Sequence, residues 1–178
     1  MPRLDPIDST AAAAKTRSLL DGVQKALGMT PNMMLTMAHS PAVLEGYLGF
    51  GKALGGGGLS AKLREQVALA VAGANRCDYC ASAHTAIGRH LGLDLAELDR
   101  NLHGTASDAK SQAALDFARA VVSKQGRVGD DDLRRVRAAG YGDDEIAEVI
   151  AHVALNILTN YFNQVAQTAV DFPLVKAA

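Results

Sequence analysis

The stretch SAKLREQVALAVAGANRCDYCASAHTAIGRHLG, residues 60–92, decides the fold, because two helical patterns meet in it at a break. Ser60 is a candidate N-cap for a helix over Ala61–Ala74, in which apolar residues recur at helical spacing. An Asn-Arg dipeptide interrupts this pattern. A second helix is predicted over Cys77–Leu91, and the glycine that follows is a typical C-terminal stop. The stretch is therefore predicted to form two consecutive helices.

Helical periodicity extends over nearly the whole chain, and no run of alternating apolar and polar residues is typical of a strand. We therefore predict an all-α fold. Besides the two helices above, helices are predicted over Ala11–Leu27, Pro31–His39, Pro41–Leu54, Leu95–Leu102, Ala109–Lys124, Asp130–Ala138 and Asp144–Thr168.

Three further features of this layout are predicted. The glycine run 55–58 is expected to be a mobile connection, since it lacks the Lys-Ser/Thr of a phosphate-binding loop. Asp143 is the candidate cap of the last helix, which is the most apolar and is expected to be central. The chain is expected to be a single domain over 1–178, with a motif core at about 60–92 and an N-terminal helical extension at about 1–55.

Composition restricts the classes of function. The chain has 178 residues, 48% of them hydrophobic, and a net charge of -1 from 18 basic and 19 acidic residues. This balance leaves no basic surplus for nucleic acid, and no apolar stretch approaches the roughly 20 residues that cross a membrane. We expect a soluble, cytoplasmic protein that binds neither nucleic acid nor membrane. In that compartment a close pair of cysteines is more often catalytic or metal-binding than a structural disulfide.

Cys77 and Cys80 are the only cysteines, and their spacing corresponds to about one helical turn. His84 follows Cys80 by four residues, so the three side chains are expected to lie on one face of the helix. At the start of a helix, free backbone N–H groups and the helix dipole favour a thiolate, which is the reactive form of cysteine. Arg76 is expected to assist this effect and Asp78 to oppose it.

Three interpretations of the triplet stay open at this level. A structural zinc site normally needs four ligands, and His90, the nearest additional one, would point away from His84. A purely structural role is the second interpretation, with two small buried thiols packed beside a core histidine. Thiol redox chemistry is the one that the pattern favours, although no βαβ pattern of the thioredoxin kind surrounds the motif.

The motif Glu65…Cys77-Asp78-Tyr79-Cys80-Ala81-Ser82-Ala83-His84, inside an all-helical chain, resembles the alkylhydroperoxidase D (AhpD) and carboxymuconolactone decarboxylase superfamily. The similarity is closest to its peroxidase-related branch. It extends to the segments 31–34 and 39–41 and to the asparagines of the last helix. The resemblance implies an AhpD-like helical domain that carries the Cys-x-x-Cys at the N-terminus of a core helix.

The resemblance also implies a mechanism. Cys80 would attack a peroxide, Cys77 would resolve the sulfenic acid as a disulfide, His84 would be the base and Glu65 the upstream carboxylate. A thiol or dithiol reductant would reopen the disulfide. The resemblance further implies a homo-oligomer, trimeric or hexameric, and neither a cofactor nor a metal. Organic hydroperoxides or hydrogen peroxide would be the substrates.

One feature separates this chain from the best-known peroxidases, and the role of a second feature stays open. The motif of those enzymes resembles Cys-x-His-Cys, and here Tyr79 occupies the position of the histidine. One imidazole of the proton relay is therefore absent, and tyrosine is a poorer base at neutral pH. His152 begins a polar stripe that continues through Asn156, Asn160 and Asn163. A helix–helix hydrogen-bond network is the favoured role of this stripe, and lining of the reactive pocket is the alternative. A decarboxylase of the carboxymuconolactone kind and a non-catalytic redox sensor are the alternative functions.

Overall fold

The computed structural model describes residues 1–177, and over this range the chain forms α-helices and one 3₁₀ turn but no strand. The all-α prediction is confirmed. The helices are α1 (Ala14–Leu27), α2 (Asn32–Met37), α3 (Pro41–Gly55), α4 (Ala61–Ala74), α5 (Asp78–His90), α6 (Leu95–Leu102), α7 (Ala109–Ser123), α8 (Asp130–Ala138) and α9 (Asp143–Ala166).

Local capping explains where several helices begin. The side chain of Ser60 accepts the N–H of Leu63 at 3.2 Å, which satisfies a free donor of the first turn of α4. Asp94 caps α6 by accepting the N–H of Glu97 at 2.8 Å. Asp108 caps α7 in the same way. The predicted starts of these three helices are confirmed.

Several predicted helix boundaries differ from the structure. Asp143 is the first residue of α9 rather than its cap; the cap is Gly142, whose N–H is accepted by the side chain of Glu145 at 3.0 Å. The helix also ends earlier than predicted, because Gln167 has a left-handed backbone with φ of 52°. At the other end of the chain, α1 begins at Ala14, since a separate 3₁₀ turn occupies Ser9–Ala11.

The most enclosed helix is α4, not α9. One side of α4, with Leu69 and Ala72, packs in the core formed by the N-terminal helices, α5 and α6. Its other side, with Val67 and Val71, packs in the core formed with α7, α8 and α9. Gly73 allows the backbones of α4 and α6 to approach each other closely, because a Cβ atom there would overlap the backbone oxygen of Leu102 in α6.

The last helix contributes one face to the core and leaves the other exposed, which is why the prediction of a central α9 is wrong. Its buried face includes Val149 and Val153. Apolar side chains on the opposite face are 44% to 65% exposed, and these are Ile150, Leu158, Tyr161 and Val165. The apolar composition of α9 predicted that it is buried on all sides, whereas the neighbouring helices cover only one of its faces.

The glycine run 55–58 is anchored at its end. The backbone N–H groups of Gly58 and Leu59 donate to the carboxylate of Glu148 at 2.7 and 3.0 Å. These hydrogen bonds lower the pKa of Glu148 below its usual range. These hydrogen bonds tie the connection between α3 and α4 to α9, and so hold the N-terminal end of α4 against α9.

Candidate active site

Cys77 and Cys80 form a disulfide at the start of α5, with their Cα atoms 5.3 Å apart. Cys77 is the N-cap of the helix, one position before the first turn in which it was expected, and its Sγ accepts the N–H of Cys80 at 3.3 Å. Both residues are 2% exposed. The helix terminus therefore directs a backbone donor at the sulfur of Cys77.

Cys80 lines a cavity of about 170 Å³, and Cys77 does not. Asn163 and His84 supply polar groups to the wall of the cavity. The rest of the wall is mainly apolar or aromatic and is formed by Leu27, Met29, Pro31, Met33, Met34, Tyr47, Tyr79, Ala83, Ile87, Thr159 and Phe172. A small ligand that reaches Cys80 therefore meets a mostly apolar surface with few polar groups, as in many small-molecule sites.

His84 and Glu65 form a hydrogen-bonded pair across the two helices of the motif. Nδ1 of His84, on α5, lies 2.7 Å from Oε2 of Glu65, on α4, and the side chains are 22% and 16% exposed. A carboxylate acceptor at Nδ1 leaves Nε2 as the ring nitrogen that is free for proton exchange. The two residues that the sequence and the resemblance selected are thus adjacent, and His84 lies at the cavity.

Tyr47 lies beside this pair and was not selected from the sequence. Burial, together with the carboxylate of Glu65, raises the pKa of Tyr47 to about 12. At neutral pH its hydroxyl therefore stays protonated and can act only as a neutral donor or acceptor. A tyrosine on the partly buried face of α3 has no local sequence signal that would indicate this role.

Tyr79, the residue that departs from the peroxidase motif, is part of the framework. Its hydroxyl accepts the backbone N–H of Met33 at 3.1 Å. Its ring packs edge-on against Phe172, with centroids 5.8 Å apart. Burial raises the pKa of Tyr79 far above its usual range, and the nearby carboxylate of Asp171 adds to this effect. The phenol is therefore unsuited to exchange protons at neutral pH.

The C-terminal segment packs against the start of α5. Asp78 accepts the backbone N–H of Ala177 at 2.9 Å and pairs with Nζ of Lys176 at 2.7 Å. These two contacts lower the pKa of Asp78. Further along, Ser82 and the backbone of Val175 exchange hydrogen bonds. The negative charge that was expected to oppose a thiolate is therefore partly neutralised by a segment distant in sequence.

The polar stripe of α9 divides into three roles. Asn160 accepts a hydrogen bond from Asn75 at 2.9 Å, which is the helix–helix contact that was favoured. Asn156 donates to the backbone oxygen of His152 in its own helix. Asn163 instead lines the cavity, the alternative role considered for the stripe, and its Nδ2 lies 3.4 Å from Sγ of Cys80.

His152 itself is buried on the inner face of α9. It is 6% exposed, its Nε2 has no hydrogen-bond partner among the described residues, and it does not line the cavity. Burial, with the nearby charge of Arg64, lowers the pKa of His152, so the ring is neutral at neutral pH. Its neighbours Glu148 and Glu65 act in the opposite direction but more weakly.

Residues 1–177 contain neither a cluster of potential metal ligands nor a helix suited to a bilayer. No group of three or more His, Cys, Asp or Glu side chains in that range is arranged to hold a metal ion. Across the same part of the chain, no helix has the length and apolar character needed to cross a bilayer.

The fold and the site together define a class: an all-helical protein whose disulfide-forming Cys-x-x-Cys opens a core helix next to a His–Glu pair. The model of the carboxymuconolactone decarboxylase family matches residues 41–123, which include the two helices of the motif. This match, together with a 27% identical solved structure described below, supports placing the chain in the alkylhydroperoxidase D and carboxymuconolactone decarboxylase superfamily.

Solved structures have the same fold over nearly the whole chain. A peroxidase-related protein from Ralstonia eutropha JMP134, described as an alkylhydroperoxidase AhpD core, is 27% identical, with a TM-score of 0.87 over 96% of this chain and 92% of that one. A peroxidase-related protein from Silicibacter sp. TM1040 is 24% identical, with a TM-score of 0.81 over 94% and 92%.

A third similar structure is a variant of the debrominase Bmp8 in complex with 2,3,4-tribromopyrrole. It is 19% identical, with a TM-score of 0.81 over 95% of this chain and 91% of that one, and at this identity it shows the fold alone. A search of curated proteins found no match.

Proposed function

We propose that this protein is a thiol-dependent peroxidase that works through a Cys77–Cys80 disulfide cycle. The observation that carries the proposal is the disulfide at the wall of an apolar cavity, to which only Cys80 of the pair contributes. The family and the peroxidase-related neighbours support an enzyme of this kind. We also propose a cytoplasmic location, because the cycle needs a reducing thiol pool.

The first step is the attack of Cys80 on the peroxide. His84 takes the proton of the Cys80 thiol, and the thiolate sulfur forms a bond to the terminal oxygen of the hydroperoxide while the O–O bond breaks. The departing alkoxide accepts the proton from His84 and leaves as the alcohol. The products are Cys80 sulfenic acid and one alcohol. Glu65, bound to Nδ1, is the positioning residue that keeps Nε2 of His84 directed to this exchange.

The second step regenerates the pair. The Cys77 sulfur attacks the sulfenic sulfur, the disulfide forms, and the hydroxyl leaves as water with the thiol proton. A dithiol reductant then gives two electrons and two protons to the disulfide and becomes a disulfide itself. Because both cysteines are 2% exposed, a small or extended reductant fits this step better than a broad protein surface.

The cavity supports an organic hydroperoxide in preference to hydrogen peroxide. Its wall is mainly aliphatic, aromatic and methionine side chains, whose burial against an alkyl group is favourable by about 25 cal/mol per Å². Hydrogen peroxide gains nothing from that surface. We therefore expect kcat/KM to increase with the apolar size of the hydroperoxide until the cavity is filled.

The test is peroxide consumption with a dithiol reductant. Wild-type enzyme is expected to turn over an alkyl hydroperoxide, Cys80→Ser to lose all turnover, and Cys77→Ser to complete one turnover and stop as the sulfenic acid. Mass spectrometry distinguishes the sulfenic acid from the disulfide. Absence of turnover by the wild-type enzyme with small and protein dithiols alike would refute the proposal.

Reductive removal of a halogen from an aromatic ring is a second candidate. The aromatic wall formed by Tyr47, Tyr79 and Phe172 favours a flat ligand, and a debrominase has the same fold. Cys80 would take the halogen as the carbon–halogen bond breaks, the ring carbon would gain a proton, and Cys77 would displace halide to form the disulfide. Halide release with dithiol, lost in Cys80→Ser, would identify this activity.

Two functions from the sequence are separated by the same cysteine variants. A carboxymuconolactone-type decarboxylase would keep its activity on a lactone acid after both cysteines are replaced by serine. A non-catalytic redox sensor would react with peroxide once and slowly, and would change its assembly when the disulfide forms. Turnover that requires Cys80 contradicts both.

We also propose that the protein assembles as a homo-oligomer, a trimer or hexamer as the resemblance implies. The exposed apolar stripe of α9, with Leu158, Tyr161 and Val165, supports burial against a second copy, because such contiguous surface is rarely left in water. Light scattering after gel filtration is expected to give a multiple of the chain mass of 18.6 kDa. Leu158→Glu is expected to reduce that mass, and a monomeric wild type would contradict the proposal.

A further inference from the structure

The two sulfurs of the pair receive different support from the protein. One of the free backbone donors at the start of α5, the N–H of Cys80, is directed at the sulfur of Cys77. Yet it is Cys80 that lines the cavity. A thiolate in an apolar wall is disfavoured unless a donor stabilises the charge. Besides His84, which takes the proton of the thiol, a donor on a neighbouring helix would stabilise the Cys80 thiolate at this wall.

Asn163, on α9, is the side chain in that position. It is 4% exposed, and its Nδ2 lies 3.4 Å from Sγ of Cys80 and 3.2 Å from Sδ of Met33. Its Oδ1 has no partner among the described residues. The reversed amide would direct the carbonyl oxygen at two sulfurs that carry no proton, so the orientation with N–H groups towards sulfur is favoured.

We propose that Asn163 is a further catalytic residue, which stabilises the Cys80 thiolate, and that Met33 is a positioning residue that holds its amide. The inference rests on the proposed function in that Cys80 is taken as the attacking sulfur. Disulfide and thioether sulfurs are weak acceptors, whereas a hydrogen bond to an ionised acceptor is about twice as strong as a neutral one. The contact with Cys80 therefore strengthens when Cys80 ionises, and this difference favours the thiolate over the thiol.

The same helix supplies a matched control. Asn160 is also a buried asparagine of α9, but its hydrogen bond is to Asn75, and it forms none to a sulfur of the described residues. Replacing Asn160 with alanine removes a buried amide of the same size, with a comparable effect on folding. A general loosening of α9 would therefore affect both variants, whereas support of the thiolate would be lost only in the Asn163 variant.

The experiment measures the Cys80 thiol directly, in a Cys77→Ser background that retains a capping side chain at the start of α5. The rate of alkylation by iodoacetamide is followed as a function of pH. Asn163→Ala is expected to raise the pKa of the Cys80 thiol by about one unit and to slow alkylation at neutral pH about tenfold. Asn163→Asp is expected to raise the pKa further, because a carboxylate adds a like charge beside the thiolate.

Two further variants decide the remaining cases. Met33→Leu keeps the side-chain volume, so it is expected to fold even where an Asn163 variant does not, and to raise the thiol pKa by less than Asn163→Ala. Asn160→Ala is expected to leave the pKa unchanged. The inference would be overturned if the pKa of the Cys80 thiol in Asn163→Ala equalled that of the Cys77→Ser background. Where Asn163→Ala is unfolded, the same result in Met33→Leu would overturn it. An equal shift in Asn160→Ala would overturn it as well.

Alkylation needs no peroxide, so this inference and the proposed function fail separately. A raised thiol pKa in Asn163→Ala supports the inference even where the parent enzyme consumes no peroxide, a result that would refute only the peroxidase. Peroxide turnover by the wild type with an unchanged thiol pKa in Asn163→Ala would refute only the role of Asn163.

Discussion

Replacing Glu65 with glutamine tests the His84–Glu65 pair most directly. The substitution keeps the length of the side chain and one carbonyl oxygen, but it removes the charge that His84 binds at 2.7 Å. It also introduces an N–H group that competes for the same position near Nδ1. The ring is then no longer held in one orientation, and Nε2 is directed to the cavity for only part of the time.

The size of the effect follows from this contact. A hydrogen bond to a charged group contributes about 1.5–3 kcal/mol, and a glutamine replaces part of it. The side chains are 22% and 16% exposed, so solvent screens the interaction only partly. A loss of about 1.4–2 kcal/mol in the transition state corresponds to a decrease in kcat/KM of roughly 10- to 30-fold.

The assay is peroxide consumption with a dithiol, together with the rate of sulfenic acid formation in a single turnover of the Cys77→Ser enzyme. Glu45→Gln is the control, because Glu45 is exposed and pairs only with Lys15 on the surface. That variant is expected to keep wild-type rates, since exposed ion pairs contribute little.

A double-mutant cycle gives the decisive comparison. Because Glu65 is a positioning residue that acts through His84, adding Glu65→Gln to His84→Ala is expected to cause no further decrease in rate. Two results would refute the reasoning: a folded Glu65→Gln enzyme whose kcat/KM stays within about twofold of wild type, or a full additional loss in the double variant.

Three further predictions concern stability. Gly73→Ala is expected to destabilise the protein by about 3 kcal/mol or more, because its Cβ would overlap a backbone oxygen of α6, whereas Gly22→Ala, in open space on α1, should stabilise by about 0.5–1 kcal/mol. Urea denaturation measures both, and equal midpoints would contradict the close approach of α4 and α6. Glu97→Ala is expected to cost about 3 kcal/mol in the same assay, since the buried amides of Gln66 and Asn101 and the backbone N–H of the exposed Ser107 lose their shared acceptor; a cost below about 1 kcal/mol would contradict this. Asp78 has a pKa lowered from 3.8, so its contacts with the C-terminal segment are complete above that pH and are lost as pH falls through the lowered folded value. The hydrogen-exchange protection factors of residues 171–177, which correct for the slowing of intrinsic exchange in acid, should therefore decrease below pH 3.8, and Asp78→Asn should abolish that dependence; protection that does not change with acid in the wild type would contradict it.

The relation between sequence and structure differs from one helix end to another. Ser60 was identified as a cap because the hydrogen bond of a cap spans three residues, a distance within which sequence is informative. At the start of α9, glycine and two aspartates compete for the cap within a few residues. The hydrogen bond from the N–H of Gly142 to Glu145, which forms only in the folded chain, decides between them.

The candidate site shows the same division. Cys77, Cys80 and His84 were placed on one face of a helix by their spacing, and Glu65 was added by resemblance; the structure brings Glu65 to His84. The contact of Asn163 with Cys80 spans 83 positions in the chain, and no pattern near either residue predicts it. The polar stripe of α9 was visible, but which asparagine faces the cavity depends on the rotation of α9 against its neighbours.

The sequence by itself determined the all-α class, most helix ends to within about one residue, and the shared face of the cysteine pair and His84. These features depend on periodicity and capping, which act over one or two helical turns. Only the tertiary structure decided that Cys80 rather than Cys77 meets the cavity, that Lys176 reaches Asp78 and that one face of α9 stays exposed. Those features depend on how helices distant in sequence pack together, because close packing selects one arrangement among many that the same periodicity allows.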